Sequence, residues 1–101
     1  MARLAGAEMP AWEDNEASIA ELRARVHKTL DFVKSFSDAQ IDGSEARAIT
    51  IPRRSGEPLQ FDGETYLKHY ALPNFFFHVT TTYALLRHAG VDIGKGDYLG
   101  R

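Results

Sequence analysis

The chain has 101 residues and a formal net charge of −2, with 44% hydrophobic and 26% charged residues. This is enough for a single domain over 1–101, and the balance is that of a globular protein without a broad basic field to hold nucleic acid. Cysteine is absent, which excludes disulfides, thiolate metal ligands and a cysteine nucleophile from this chain.

The N-terminus lacks the basic segment and apolar stretch of a signal peptide, and no apolar run approaches the length needed to cross a membrane. These absences predict a cytoplasmic protein with no membrane partner and no nucleic-acid partner. The small excess of acidic residues does not identify any other partner.

The first predicted elements are helical. Residues 1–7 fit the last turn of a helix that ends near Gly6, and Trp12 is expected to pack on a neighbour. A longer helix is predicted over 15–35, with Ser18 and Glu21 as a capping box. Its apolar residues recur at spacings of three and four, which places them in one stripe, formed by Ile19, Leu22, Val26, Leu30 and Val33.

A β-hairpin is predicted over 47–61. The segments 49–51 and 59–61 each place two large apolar residues on one face of a short strand. The intervening turn is polar, and a solvated turn is a better interpretation of Arg53-Arg54 than an anion-binding site. A lone hairpin is marginally stable in water, so this one is expected to pack against the helices.

A second helical region is predicted over 63–89, with a cap at Asp62 and a terminator at Gly90. Pro73 is expected either to kink one long helix or to start a second helix after Leu72. The apolar residues cover most of the helix circumference and comprise Phe75, Phe76, Phe77, Val79, Tyr83, Leu85 and Leu86. Such a helix is expected to be buried on several sides, which needs more partners than one amphipathic helix supplies.

The tail over 91–101 has too many glycines to predict a helix, and its apolar residues are expected to pack it against the helices. Gly94-Lys95-Gly96 does not form a phosphate loop, because the spacing, the Ser or Thr after the lysine and the preceding strand are all missing.

One line of polar residues interrupts the apolar surface of the second helical region. Residues four apart share a helix face, and a four-residue spacing joins Tyr66, Tyr70, Asn74, His78 and Thr82, with Thr81 adjacent. The candidate ligand-binding residues are therefore Tyr70, Asn74, His78, Thr81 and Thr82. Two interpretations of His78 stay open, namely a core histidine with hydrogen-bonding neighbours and one ligand of a metal or substrate site in a bundle. His78 has no histidine or carboxylate three or four residues away, so a divalent metal would need ligands from elsewhere.

Three segments carry a resemblance to a known family. They are Leu72–Val91, Ile93–Gly100, and Arg3-Leu4-Ala5-Gly6 leading to Trp12-Glu13-Asp14. Together they resemble domain-of-unknown-function family nineteen-ninety-three, in the DinB/YfiT-like superfamily, over essentially the whole chain. The resemblance implies a four-helix bundle with a small hairpin between the third and fourth helices.

The resemblance also implies two helices before the position of Arg3, so that this chain corresponds to the C-terminal part of such a protein. Truncation, a misplaced start and proteolysis are alternative origins of that difference. DinB-like metalloproteins are expected to hold a metal with three histidines, one on the second helix and two, four apart, on the last. His78 matches the later histidine of that pair, and Asn74 stands where the earlier one would be.

The sequence thus predicts a mostly α fold, half of a DinB-like four-helix bundle with a small β-hairpin, completed by dimerisation. A homodimer is expected because two helices and a hairpin leave much apolar surface uncovered. The predicted function is binding of a small ligand or a partner at the Asn74/His78 face. The alternative is a metal-dependent transferase or hydrolase with His78 as one ligand.

Overall fold

A computed structural model describes all residues, 1–101, and divides them into two compact units, 1–64 and 65–101. About half of the chain is helical, and two strands form one small antiparallel sheet. The α-helices are α1 (Ala2–Ala5), α2 (Ile19–Lys34), α3 (Asp38–Ile41), α4 (Gly63–Thr65), α5 (Leu72–His88) and α6 (Lys95–Tyr98). A π-helical turn, Tyr66–Ala71, joins α4 to α5, and the strands are β1 (Ile49–Ile51) and β2 (Leu59–Phe61). None of the helices has the length and hydropathy that a bilayer crossing requires.

The short helix α1 contributes two of the buried residues of the first unit, Ala2 and Leu4. It ends at Gly6, whose φ of 67° lies in the left-handed region that glycine adopts without steric cost. The Gly6 N–H donates to the carbonyl oxygen of Arg3, which satisfies one of the main-chain acceptors left free at a helix end. The expected helix end near Gly6 is therefore present, although the helix has only one turn within the chain.

The start of α2 is set by two side chains. Ser18 lies just before the helix in an extended conformation, and its hydroxyl oxygen accepts from the Glu21 main-chain N–H at 3.2 Å. The Glu21 carboxylate accepts in return from the Ala17 N–H at 2.8 Å and from the Ser18 hydroxyl at 3.0 Å. These bonds satisfy N–H groups that have no partner within the helix. The helix expected over 15–35 accordingly begins at Ile19 and ends at Lys34.

One side of α2 is packed by the segment that precedes it. The Trp12 ring meets the Phe32 ring edge-to-face with 5.8 Å between centroids, and Phe32 meets Phe36 in the same way at 5.1 Å. The guanidinium of Arg25 forms an ion pair with Glu16 and lies 5.4 Å from the Trp12 ring centroid. These contacts hold residues 12–16 on the helix and leave its apolar stripe on a different side. All five stripe residues are exposed, from Val33 at 39% to Ile19 at 71%.

The hairpin pairs Ile49 with Phe61 and Ile51 with Leu59. Because alternate residues of a strand share a face, these apolar residues lie on one side of the sheet, and the two isoleucines are buried. The chain leaves β2 through Gly63, whose backbone runs against the main chain at Ser44, and the Glu64 N–H donates to the Glu45 carbonyl oxygen at 3.0 Å. A side chain at residue 63 would overlap the Ser44 carbonyl oxygen, so glycine is required by space.

The helix of the second unit changes its winding just before Pro73. In the π-helical turn the Leu72 N–H donates to the Leu67 carbonyl oxygen, five residues back. Pro73 has no N–H, and a proline ring clashes with the carbonyl four residues before it in a regular α-helix. The wider turn accommodates both features, and α5 starts with Pro73 in its first turn. The chain therefore stays helical through the position where a kink or a new start was expected.

A glycine turn ends α5 and redirects the chain. Gly90 has a φ of 85°, its N–H donates to the Arg87 carbonyl oxygen, and the Val91 N–H donates to the Leu86 carbonyl oxygen. This pair of bonds is a Schellman motif. Residues 95–98 then form the single turn α6, so the expectation that the glycine-rich tail contains no helix is wrong. The Asp97 carboxylate accepts from the Gly94 N–H at 2.8 Å, and this cap compensates for the poor helix propensity of Gly96.

Candidate functional site

Four of the five predicted site residues lie on α5. Asn74, His78, Thr81 and Thr82 follow the three- and four-residue spacings of a single helix side and are exposed; this surface is called the His78 face below. The His78 ring contacts the Phe77 ring edge-to-face, with 5.3 Å between centroids. The Thr82 hydroxyl donates to the His78 main-chain carbonyl at 2.8 Å, so its proton is directed to its own helix.

Tyr70, the fifth predicted residue, lies in the π-helical turn. It is half-buried, and its ring stacks on that of the buried Tyr66 with 5.9 Å between centroids and 25° between planes. The four-residue spacing that links it to Asn74 spans the change from π to α winding. Because the π turn contains more residues than an α turn, that spacing does not keep two residues on one face there.

Large apolar side chains surround the His78 face. Phe77 and Leu85 are 64% and 63% exposed, and α5 has no buried residue along its length. The expectation that α5 is buried on several sides is not met within residues 1–101. An imidazole and a carboxamide among exposed phenylalanine and leucine side chains form a surface that can hydrogen-bond and also exclude water.

The side chains present do not fit the three-histidine metal site of DinB-like metalloproteins. Nowhere in residues 1–101 do three or more His, Cys, Asp or Glu side chains come together in a group that could hold a metal ion. On α5 the residue four before His78 is Asn74, and a carboxamide is a weaker ligand than imidazole for the transition metals that imidazole suits. These side chains therefore supply no metal-dependent step.

A second polar cluster lies on another side of α5. Thr80 and Tyr83, together with Lys95 and Tyr98 from the tail, line a cleft of about 390 Å³. Residues two apart on a helix point in nearly opposite directions, so Thr80 faces away from His78 and Thr82. The Thr80 and Tyr98 hydroxyls are 3.0 Å apart, and the Tyr83 and Tyr98 rings meet edge-to-face at 5.4 Å.

This cleft was missed by sequence reasoning. The sequence predicts for Tyr98, one of the apolar residues of the tail, only packing against the helices, and Lys95 belongs to a glycine-rich segment that does not form a phosphate loop. The sequence feature that could have indicated the cleft is the pair Thr80 and Tyr83. They are three residues apart and hence on one helix face, and a glycine that reverses the chain follows them. What places the tail residues against that face is the turn at Gly90, a tertiary feature.

Comparison with known proteins identifies the family. The model of a domain of unknown function, DUF1993, matches residues 1–99. This chain belongs to the DUF1993 family. The crystal structure of a DinB family member protein from Shewanella denitrificans is similar to this DUF1993 chain, with a TM-score of 0.80 and 39% sequence identity. No curated protein matches it.

The DUF1993 chain is shorter than its structural relative. The similarity covers 99% of this chain and 56% of the Shewanella chain, so this chain spans little more than half of that protein's length. The resemblance to a DinB-like family is confirmed by both comparisons, and neither assigns an activity.

Proposed function

We propose that this DUF1993 domain is a helical binding module and that its His78 face binds a helical partner. The observation that carries the proposal is the exposure of Phe77 and Leu85 beside His78 on a helix without buried residues. Soluble proteins rarely leave an apolar patch of this kind uncovered. Aromatic residues are enriched at the centres of protein interfaces, where charged residues are depleted.

The shape of the face favours a protein partner over a small ligand. Small-molecule sites are concave and enclose most of their ligand, whereas the His78 face runs along the exposed side of a helix. An amphipathic helix can lay its apolar stripe on such a surface. Asn74 and His78 would then act as polar residues within an apolar seam, a position where they select one register.

We propose that the partner is a second copy of this chain. Each copy carries two long helices with exposed apolar residues, the stripe of α2 and the surface of α5. Two copies would bring together four such helices, the number in the bundle that the DinB-like resemblance implies. Between 72 and 88 the only permanently charged residue is Arg87, so charge does not oppose the approach of two α5 helices.

The two-fold arrangement has a consequence for the polar residues. If the two α5 helices face each other across the axis, two copies of Asn74 and His78 come together in the seam. The imidazoles and carboxamides of the two copies could then hydrogen-bond one another, which would compensate for their removal from water.

Analytical ultracentrifugation at low micromolar concentration tests the assembly. We expect the wild-type chain to sediment as a dimer, and Phe77→Glu and Val26→Glu to shift it towards monomer by placing a carboxylate in the apolar seam. The matched control is Ala24→Glu, since Ala24 is exposed on α2 outside the stripe. A folded wild-type monomer whose cooperative melt does not depend on protein concentration would contradict the proposal.

Metal content separates this proposal from metal-dependent chemistry. Protein purified without chelator is expected to carry no stoichiometric Zn, Ni or Fe. Stoichiometric metal that disappears in His78→Ala but persists in His27→Ala would overturn the binding-module assignment. His27 is a suitable control because it is an exposed histidine on α2.

A further inference from the structure

The cleft between α5 and the tail offers hydrogen-bond donors on an apolar base. Its lining includes the rings of Tyr83 and Tyr98, which meet at an interplanar angle of 66°. A volume of about 390 Å³ is at the small end of the range for ligand pockets, and it suits a single ring with a short substituent. The cleft is independent of the His78 face because it lies on another side of α5.

The phenol of Tyr83 has its donor free. The Arg87 guanidinium donates to the Tyr83 oxygen at 2.9 Å. A guanidinium has only donors, so the phenol must accept in this bond. Its own O–H proton is left to donate to a group in the cleft.

The hydroxyl pair of Thr80 and Tyr98 provides a second donor. Their oxygens are 3.0 Å apart, and either can be the donor. Whichever hydroxyl gives its proton to the other, the accepting hydroxyl retains an O–H of its own. The pair therefore always has one proton to donate outward.

The positive charge of Lys95 favours a negatively charged ligand. It is the one charged residue among those that line the cleft, and its ammonium group carries three donors and no acceptor. The nearby Asp97 carboxylate is engaged by the Gly94 N–H at the start of α6. An ammonium and two hydroxyl donors together suit an acceptor that carries negative charge.

We propose that this cleft binds a small carboxylate with a flat apolar body. The carboxylate accepts from Lys95, from Tyr83 and from the Thr80–Tyr98 pair, while the body rests on the two tyrosine rings. Aromatic rings prefer the edge-to-face and offset contacts that such walls provide. The site assigns a ligand class to a surface that the partner-binding function does not use.

Phenylacetate is the probe, titrated into the full 101-residue chain and followed by the ¹H–¹⁵N amide spectrum. We expect saturable shifts at Thr80, Tyr83 and residues 95–98 with a dissociation constant of roughly millimolar order, as befits a ligand of about ten heavy atoms in an open cleft. Phenylacetamide lacks the charge and acetate lacks the ring, so each should bind at least about fivefold more weakly.

Matched variants locate the interaction. Lys95→Gln should weaken phenylacetate binding by about five- to tenfold, while Lys34→Gln, at an exposed lysine of α2, should leave it unchanged. Tyr98→Phe keeps the ring and removes one hydroxyl, so it should weaken binding less than Lys95→Gln does. The dispersed amide spectrum of each variant shows that it is folded.

Four results on the strength of binding would overturn the proposal. They are the absence of saturable shifts at tens of millimolar phenylacetate, equal binding of phenylacetamide, equal binding of acetate, and unchanged binding in Lys95→Gln. Shifts centred on Asn74 and His78 in place of the cleft would also overturn it. None of these results bears on dimerisation, which sedimentation measures separately.

Discussion

Strand β1 and helix α5 both carry large apolar side chains, yet they differ in what covers them. Ile49 of β1 is 4% exposed, whereas Phe75 of α5 is 58% exposed. The strand belongs to a unit in which short elements, tight turns and close main-chain contacts surround it. The helix ends in a glycine turn within its own unit, and none of its residues is buried.

The difference separates two sources of stability. Residues such as Ile49 contribute to the free energy of unfolding of the isolated chain, since burial within the chain removes their surface from water. The apolar residues of α5 can contribute in full only when they are covered, and in the proposed dimer the second copy covers them. The stability of α5 is thus expected to depend on protein concentration, while that of the hairpin region is not.

The largest expected effects test this distinction directly. Phe76→Ala and Leu86→Ala should each cost roughly 2–5 kcal/mol in the assembled protein, as large-to-small changes in a core do. In dilute, unassembled protein the same changes should cost about 1 kcal/mol or less, because both residues are about half exposed there. Urea unfolding at low and high protein concentration measures both.

Two controls bracket that experiment. Ile49→Ala should cost roughly 2–5 kcal/mol at either concentration, because its cover comes from its own chain. Lys28→Ala should stay within about 0.5 kcal/mol, since Lys28 is exposed and only overlies the Trp12 ring. Equal and small effects of Phe76→Ala, Leu86→Ala and Lys28→Ala at high concentration would show that α5 is not covered.

A smaller effect is expected from Gly63→Ala, which tests the close packing of the first unit. The added methyl group would overlap the Ser44 carbonyl oxygen, a main-chain atom that cannot move aside cheaply. We expect a loss of about 1–3 kcal/mol in the free energy of unfolding, as overpacking produces. Gly96→Ala is the control, because no atom crowds that position and alanine favours a helical turn. Thermal unfolding that ranks the two variants equally would be inconsistent with the close approach.

The cap of α2 should contribute less again. Ser18→Ala removes the acceptor of the Glu21 N–H bond and is expected to cost about 1 kcal/mol, the usual effect of losing an N-cap side chain. Far-ultraviolet circular dichroism during urea unfolding reports the change. Ser55→Ala, in the exposed hairpin turn, is expected to have no measurable effect.

The same cap predicts a pH dependence whose sign can be worked out. The N–H of Ala17 and the hydroxyl of Ser18 donate to the Glu21 carboxylate and lower its pKa. A carboxyl group whose pKa is lower in the folded state stabilises the fold above its unfolded pKa, about 4.3 for glutamate, and loses that contribution as the pH falls through the folded pKa. Glu21→Gln should therefore flatten the acid limb of the stability curve, and Glu57→Gln serves as the comparison. An identical acid limb in wild type and Glu21→Gln would rule out this role.

Features that depend on residues close together in the chain could be predicted from the sequence. Ser18 and Glu21 predict the start of α2, because an acceptor and a carboxylate three residues apart can hydrogen-bond the free N–H groups of a first helical turn. Alternating residues at 49–51 and 59–61 similarly indicate the paired strands, because each register position depends on near neighbours. Gly6 and Gly90 mark helix ends because both adopt positive φ.

Features that residue propensities and spacing rules do not capture could not be predicted. The π-helical turn has no distinctive composition, and the missing N–H of Pro73 is its only local sign. Helix α6 forms in spite of Gly96 because the Asp97 carboxylate caps it. The cleft needs Lys95 to be brought to Thr80 across fifteen residues, and no spacing rule connects two sides of a turn. The four-residue spacing places His78 and its neighbours on one side of α5, whereas the π turn separates Tyr70 from them; binding at this face stays a prediction.

The π-helical turn also sets the azimuth of everything that follows it. Each residue of an α-helix advances the chain by roughly 100° around the axis. A one-residue deletion within 66–71 that restored α-helical bonding would turn α5 by about that angle relative to Tyr66, and a different row of side chains would occupy the direction in which His78 now points. Pro73 resists that change, because in a regular α-helix its ring would clash with the carbonyl four residues before it. The orientation of the His78 face is therefore set by the bulk of one ring that directly precedes it.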